Sequence, residues 1–351
     1  MADERIGYEI HLKERPEGIP RENNFEYVKV KVPHPKKGQF LVRNIWMSVD
    51  PYMRGRMREG KSYLPSFQLN KPLEGDCVGQ IIESKNNQFK VGEYILSNFG
   101  WREYWLSMGG NEIMKIDPKI APIQRYLGIL GRTGLTAYVG ILRIGKLKNA
   151  DNNTTVFVSA ASGAVGSAAC QIAKLKGSYV VGSTGSPEKV KWLVEEAKID
   201  HAFNYKEVGE DNISSELRRA CPKGIDIYFD NVGGKHLDAA LDNMKLYGRI
   251  VLCGMISQYN DTADMLPSKG PSNLFSAIRN RLKIQGFIVR DHYDIVGEFR
   301  TNMSKWISEG KMKWEETIIE GLDNAPKAFI ALFKGEKMGK MLVKVQINSD
   351  S

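Results

Sequence analysis

The stretch from Thr155 to Gly177 constrains this chain more than any other. Thr155-Val156-Phe157-Val158 is a short apolar run, and Ala161-Ser162-Gly163-Ala164-Val165-Gly166 follows it. A helical pattern through Ala168, Ile172 and Leu175 then stops at Gly177. A strand that passes through a glycine turn into a helix is the opening of a βαβ unit, and such units build parallel sheets. The turn is the dinucleotide fingerprint G-x-G-x-x-G with alanine in place of its first glycine. Gly163 lets the backbone approach a pyrophosphate, and Gly166 lets helix and strand pack closely. The helix N-terminus supplies N–H groups and a positive dipole end. Small residues also serve tight helix–sheet packing, so the turn alone leaves both uses open.

The units that follow repeat the pattern. Tyr179-Val180-Val181-Gly182 is a second buried run, and Pro187 opens a helix whose Val190, Leu193, Val194 and Ala197 share one face. Ile225 to Phe229, Ile250 to Cys253 and Ile284 to Val289 read as further strands. Alternating strands and helices predict a doubly wound parallel sheet covered on both faces. The first ~125 residues differ: Tyr27 to Val32, Phe40 to Ile45 and Val78 to Ile82 are short extended pieces, with prolines between them. The tail from Lys313 is mixed. Asn324 is placed to cap a helix through Phe329 and Leu332, and Met341 to Val345 is a final strand. The expected fold is therefore α/β, with residues 131–312 as the parallel-sheet domain and residues 1–130, completed by 313–351, as a β-rich one.

The end of the second strand speaks to the cofactor. An NAD site calls for Asp or Glu about 20 residues beyond the glycines, to hold the ribose hydroxyls. Here the chain reads Val181-Gly182-Ser183-Thr184-Gly185-Ser186, with no acid to repel a 2′-phosphate, and Lys189 follows one turn into the next helix. A neutral, hydroxyl-rich strand end beside a lysine favours NADP(H); the alternative for Lys189 is a solvated surface lysine.

Charge and cysteine usage bound the remaining classes. The chain carries 50 Lys+Arg against 41 Asp+Glu, a net charge of +9, which is not that of an acidic disordered tail. A basic balance suits an anionic partner: nucleic acid, a membrane surface or a phosphate-bearing small molecule. The densest basic spots are Arg54, Arg56 and Arg58, and Arg279, Arg281 and Lys283; neither is interleaved with stacking aromatics, and both read as solvated faces. Cys77, Cys170, Cys221 and Cys253 have neither redox nor metal-ligand spacing, which reads as free thiols in a reducing compartment. The N-terminus lacks the basic-then-apolar pattern of a secretory signal. The uncharged stretch from Asn152 to Ala173 is too rich in small and polar residues for a membrane span. A cytoplasmic location without membrane or nucleic-acid partners follows as the expectation.

Several motifs, in order along the chain, carry a family resemblance. They are Val49-Asp50-Pro51-Tyr52-Met53-Arg54, Gly134-Leu135-Thr136-Ala137-Tyr138, Ser162-Gly163-Ala164-Val165-Gly166 and Phe229-Asp230-Asn231-Val232-Gly233-Gly234. Cys253 to Asn260, Gln285-Gly286-Phe287, Lys334-Gly335 and Gly339-Lys340 complete the set. With them the chain resembles, nearly end to end, the zinc-independent medium-chain dehydrogenase/reductases. The likeness is greatest to the branch of leukotriene B4 dehydrogenase/prostaglandin reductase, plant 2-alkenal (double-bond) reductases and bacterial curcumin reductase.

The resemblance implies a Rossmann domain joined to a GroES-like β domain with substrate bound in the cleft, a homodimer formed through the Rossmann sheets, and NADPH-dependent reduction of the C=C bond of α,β-unsaturated aldehydes and ketones. It implies that Gly163, Ala164, Val165, Gly166 and Ser167 hold the pyrophosphate and Lys189 the 2′-phosphate region, with Tyr205 and Asn231 on the adenosine side. Cys253 to Tyr259, Ser257 included, and Phe287, Ile288 and Val289 run along the nicotinamide half. Tyr52 and Tyr259 face the substrate.

Two departures from the family pattern, Arg132-Thr133 where Met-Pro is usual and Lys337 where Asn is usual, both add positive charge near the expected cleft. The loop Thr262 to Ser272, with Pro267, Gly270 and Pro271, is expected to shape the pocket. Enone reduction needs a donor to the enolate oxygen, and Tyr259 suits it, because a tyrosine with the ordinary pKa of about 10 stays protonated at neutral pH. The alternative is that Tyr259 and Tyr52 line an apolar pocket through their rings.

Zinc alcohol dehydrogenases share the expected fold but need a cysteine, a His-Glu pair and a further ligand. None of the five histidines stands in such a context; the region where it would fall reads Leu73-Glu74-Gly75-Asp76-Cys77. No metal is expected. Quinone reduction and catalytically silent NADP binding are the alternative functions.

Overall fold

The computed structural model describes residues 4–149, 153–262 and 270–345. Residues 263–269, most of the loop expected to shape the pocket, lie outside them. The chain divides into two compact units: residues 1–127, 316–337 and 341–351, and residues 128–315 with 338–340. The return of 338–340 to the second unit was not foreseen from the sequence.

The first unit opens with β1 (Ile6–Leu12) and β2 (Phe25–Lys31), an antiparallel pair. β3 (Phe40–Ser48) leads to α1 (Met53–Arg56), a single turn, and then come β4 (Cys77–Ser84), β5 (Tyr94–Ser97), β6 (Tyr104–Ser107) and β7 (Met114–Ile116). The arginine triplet corrects an expectation. It sits in and just after a helical turn, and Arg54 and Arg56 are buried rather than solvated. Arg54 donates to the carbonyls of Pro16 and Gly18. Arg56 pairs with Glu74 at 2.7 Å and lies 4.1 Å over the Phe67 ring, so both guanidinium groups clamp loops.

The second unit is helix-covered. α2 (Arg132–Tyr138) precedes β8 (Thr155–Val158) and α3 (Ala164–Leu175), and β9 (Tyr179–Thr184) is followed by α4 (Pro187–Glu195). β10 (His201–Asn204), α5 (Tyr205–Val208) and α6 (Ile213–Ala220) lead to β11 (Ile225–Asp230). α7 (Gly234–Asn243), β12 (Met244–Leu252), α8 (Phe275–Arg279), β13 (Lys283–Gly286) and α9 (Val296–Ser308) complete it.

The six strands are all parallel, in the order β10-β9-β8-β11-β12-β13. Counted along the chain this is 3-2-1-4-5-6, the doubly wound order whose direction reverses between the first and fourth strands. β8 is buried throughout, as a central parallel strand must be. β13 forms one edge of the sheet and is exposed at every residue.

The chain then returns to the first unit through β14 (Glu316–Glu320), α10 (Ala325–Lys334) and β15 (Lys340–Lys344). The sheet there runs β14-β15-β3-β4-β5-β7, with β6 also on β3. Its core joins Trp101, Phe329 and Phe25, with the Trp101 and Phe329 rings edge to face at 6.1 Å. Asn324 does precede α10, but its side chain makes no capping bond; its amide donates to the Glu320 carbonyl at 3.0 Å. Among the described residues no helix is long and apolar enough to cross a membrane.

Candidate functional site

At the point where the strand order reverses, β8 gives way to the glycine turn. A Cβ on Gly166 would lie 2.3 Å from the Ala160 carbonyl oxygen and 2.9 Å from the Ala161 Cα, so only glycine lets α3 settle on the turn. Gly163 is different. A Cβ there would meet one atom, the Ala160 oxygen at 3.2 Å. Gly163 is the N-cap of α3 and has no side chain to bond the helix's first N–H groups, which have no acceptor within the helix. The N–H groups of Ala164, Val165 and Gly166 therefore form an anion-ready first turn whose backbone fits a pyrophosphate, while the Ser167 N–H donates to the Gly163 carbonyl at 2.9 Å.

Gly339 belongs to this turn as well. Its N–H donates to the Ser162 carbonyl at 2.9 Å, and Gly163 and Gly339 form an isolated parallel bridge. Gly339 has φ +66°, and a Cβ would lie 1.9 Å from the Glu315 oxygen. The sequence held the glycine as a motif element only.

A second group gathers at the end of β9. Thr184 and Ser162 share a hydroxyl hydrogen bond of 2.7 Å. Ser186 caps α4 by accepting the Lys189 N–H at 3.5 Å. From the neighbouring β10, the Tyr205 ring and the Lys206 stem flank Gly185, with Cε1 and Cε 3.3 and 3.4 Å from where its Cβ would be. Burial, and after it the Lys206 charge, hold the Lys189 ammonium below the ordinary lysine range. The structure thus places Tyr205 and Lys206 at Gly185, with Lys189 on the first turn of α4 and within reach of the Lys206 charge; Lys206 is a residue that sequence reasoning passed over.

His236 packs edge-on against Tyr205, with centroids 5.1 Å apart, and burial alone pushes its pKa down to about 4. Because this lies below the ordinary value near 6.5, the unfolded chain takes up a proton first as pH falls. About 3 kcal/mol of stability is then lost between pH 6.5 and 4. Denaturant midpoints at pH 7 and pH 4.5 should differ less in His236→Leu than in the wild type.

The third group surrounds Asp230, at the end of β11. Its Oδ1 accepts from the Tyr228 hydroxyl at 2.6 Å, the Ser159 hydroxyl at 3.1 Å and the Val232 and Gly233 N–H groups at 2.9 and 2.8 Å. Burial raises its pKa in spite of these bonds. The Asn231 side chain donates to the Ser159 carbonyl at 2.7 Å, which holds it across the switch point between β8 and β11.

The loop after β12 is latched to this corner. The Cys253 and Gly254 N–H groups donate to the Asp230 carbonyl, and the Ser257 N–H and hydroxyl both donate to the Val232 carbonyl. Tyr259 turns back over the loop, its hydroxyl 3.4 Å from the Met255 nitrogen. Burial, with Asp230 adding to it, pushes the Cys253 thiol up to about 12, so it is no nucleophile at neutral pH. Phe287, Ile288 and Val289 follow β13, alongside β12, and the Phe287 ring reaches to within 3.1 Å of where a Cβ on Gly140 would be. Tyr52 lies in the first unit at the start of α1, half-buried and packed against that unit's core.

For a metal the residues are a poor fit. Among the described residues no three His, Cys, Asp or Glu side chains come together. Cys77 lies 3.2 Å from the Ser97 hydroxyl, and His11, His34 and His201 pair with Glu9, Glu83 and Glu216.

A doubly wound sheet with an open helix N-terminus at its switch point and an acid-free, lysine-bearing second strand end defines a dinucleotide-binding oxidoreductase fold. Residues 8–116 match the N-terminal domain of oxidoreductase and residues 164–309 match the zinc-binding dehydrogenase family. The chain is 44% identical to the NADP(+)-dependent 2-alkenal reductase of Nicotiana tabacum, covering 98% of this chain and 99% of that protein. It is 41% identical to prostaglandin reductase 1 of Bos taurus over 95% and 97% of the two chains. The crystal structure of CurA from Vibrio vulnificus in complex with NADPH superposes with a TM-score of 0.89 at 39% identity, covering 97% and 99%. The protein belongs to the medium-chain dehydrogenase/reductase family, in its zinc-independent alkenal/prostaglandin reductase branch.

Proposed function

We propose that this protein reduces the carbon–carbon double bond of α,β-unsaturated aldehydes and ketones with NADPH, without a metal, in the cytoplasm. It is an NADP-dependent oxidoreductase acting on CH–CH groups, and NADP(H) is its cofactor. The observation that supports the cofactor choice is the Gly185 corner, where the Lys206 stem flanks the glycine and Lys189, beside the exposed Glu188, stands on the first turn of a capped helix. The choice of reaction is supported by the activities of the relatives.

In this reading the first turn of α3 binds the pyrophosphate through Gly163 to Ser167, and Lys189 and Tyr205 hold the phosphorylated ribose. Asn231 borders the adenosine side, and the latched loop from Cys253 through Ser257 to Tyr259, with Phe287 to Val289, lines the nicotinamide half. When bound, NADPH supplies the hydride that the β-carbon receives. The protein's own work is position and electrostatics. The Tyr259 hydroxyl donates a hydrogen bond to the carbonyl oxygen and stabilises the charge it gains as the enolate forms. A proton from water completes the α-carbon. Tyr52 is assigned to the substrate side from the first unit.

Purified protein with NADPH and trans-2-nonenal should lose the NADPH absorbance and yield nonanal. Formation of 2-nonenol, equal turnover with NADH, or turnover of benzoquinone alone would overturn this reading.

A homodimer through the second unit's sheet is part of the same proposal. β13 is an exposed edge strand, and Leu274, Phe275 and Ile278 stand beside it in sequence at 51, 72 and 71% exposure. Such an edge is a template for pairing with a second copy. Light scattering after gel filtration should report twice the 39.5 kDa chain mass, and Phe275→Asp with Ile284→Asp should return a monomer.

A further inference from the structure

We propose that Lys206 is the second cation of the Gly185 corner and that, paired with Lys189, it sets the preference for a dinucleotide carrying a 2′-phosphate. The proposal rests on the cofactor reading above and assigns to it a residue outside the glycine turn and α4.

The sheet places Lys206 there. β9 and β10 are parallel neighbours in the register Thr184 to Asn204, so the residues just after each strand end lie side by side. Asn204 caps α5 by accepting the Lys206 N–H at 3.2 Å, which fixes where Lys206 leaves the strand. Its Cε then comes to 3.4 Å from the point a Gly185 Cβ would occupy, with the Tyr205 ring at 3.3 Å on the same glycine. Gly185 does not have a positive φ, so its backbone does not need glycine; its smallness leaves room beside the Tyr205 ring and the Lys206 stem.

Lys206 forms no salt bridge among the described residues, and its charge acts on Lys189 as a repulsion that Glu188, on the exposed first turn of α4, only partly offsets. Like charges whose repulsion is only partly offset weaken the empty protein and strengthen the complex with a dianion. A ribose 2′-hydroxyl leaves that repulsion in place, whereas a 2′-phosphate neutralises it. Selectivity then belongs to the pair, not to Lys189 alone.

The test uses the full protein and two fragments that differ only in the phosphate, 2′,5′-ADP and 5′-AMP, titrated calorimetrically. Lys206→Ala should weaken 2′,5′-ADP on the order of ten-fold and leave 5′-AMP within about two-fold, while Lys206→Arg should restore most of the loss. Without ligand, Lys206→Ala should melt at or above the wild-type temperature, which a structural role for the side chain would not produce. If Lys189→Ala loses the discrimination and Lys206→Ala keeps it, this inference falls and the cofactor reading stands. If neither variant changes the ratio of the two affinities, both fall. Equal loss of both fragments in Lys206→Ala would also overturn the proposal.

Discussion

Replacing Gly166 by valine is expected to abolish dinucleotide binding and to lower the stability of the second unit. The atoms that a side chain would meet there are backbone: the Ala160 oxygen at 2.3 Å and the Ala161 Cα at 2.9 Å. Neither can swing aside as a side chain can. The turn must open or α3 must move off β8, and overpacking of this kind costs about 1–3 kcal/mol even where neighbours yield. Displacing α3 also carries away the N–H groups of its first turn, so NADPH affinity should fall by ~100-fold or more. Fluorescence titration with NADPH and a thermal melt measure the two effects. Gly163→Ala is the control: one neighbour at 3.2 Å predicts a smaller loss of stability.

Tyr259→Phe should lower kcat for an enal by about 100-fold while leaving the Kd for NADPH unchanged, the signature of a group that acts in the transition state. The phenol ring is retained, so a pocket-lining role would be preserved and only the donor lost. A variant with raised KM and unchanged kcat would instead mark Tyr259 as part of the substrate wall.

The strand–turn–helix unit was readable in the sequence because its parts are local: an apolar run, Gly163, Gly166 and the periodicity of α3 lie within about six turns of chain. What escaped was brought together from a distance. Lys206 meets Gly185 only because β10 lies against β9, and Gly339 meets Ser162 only because residues 338–340 rejoin the second unit. Residue spacing also misjudged burial. Arg54 and Arg56 looked solvated until the carbonyls of Pro16, Gly18 and Pro65 supplied acceptors for them. Alternation and charge runs report a segment's own chemistry, and only the fold reports what covers it.

The central claim, transfer from NADPH to the β-carbon of an enal, is tested most directly with NADPH deuterated at C4 of the nicotinamide ring. After turnover of trans-2-nonenal in ordinary water, the account predicts nonanal carrying one deuterium at C3 and none at C1 or C2. Deuterium at C1, in 2-nonenol, would contradict it.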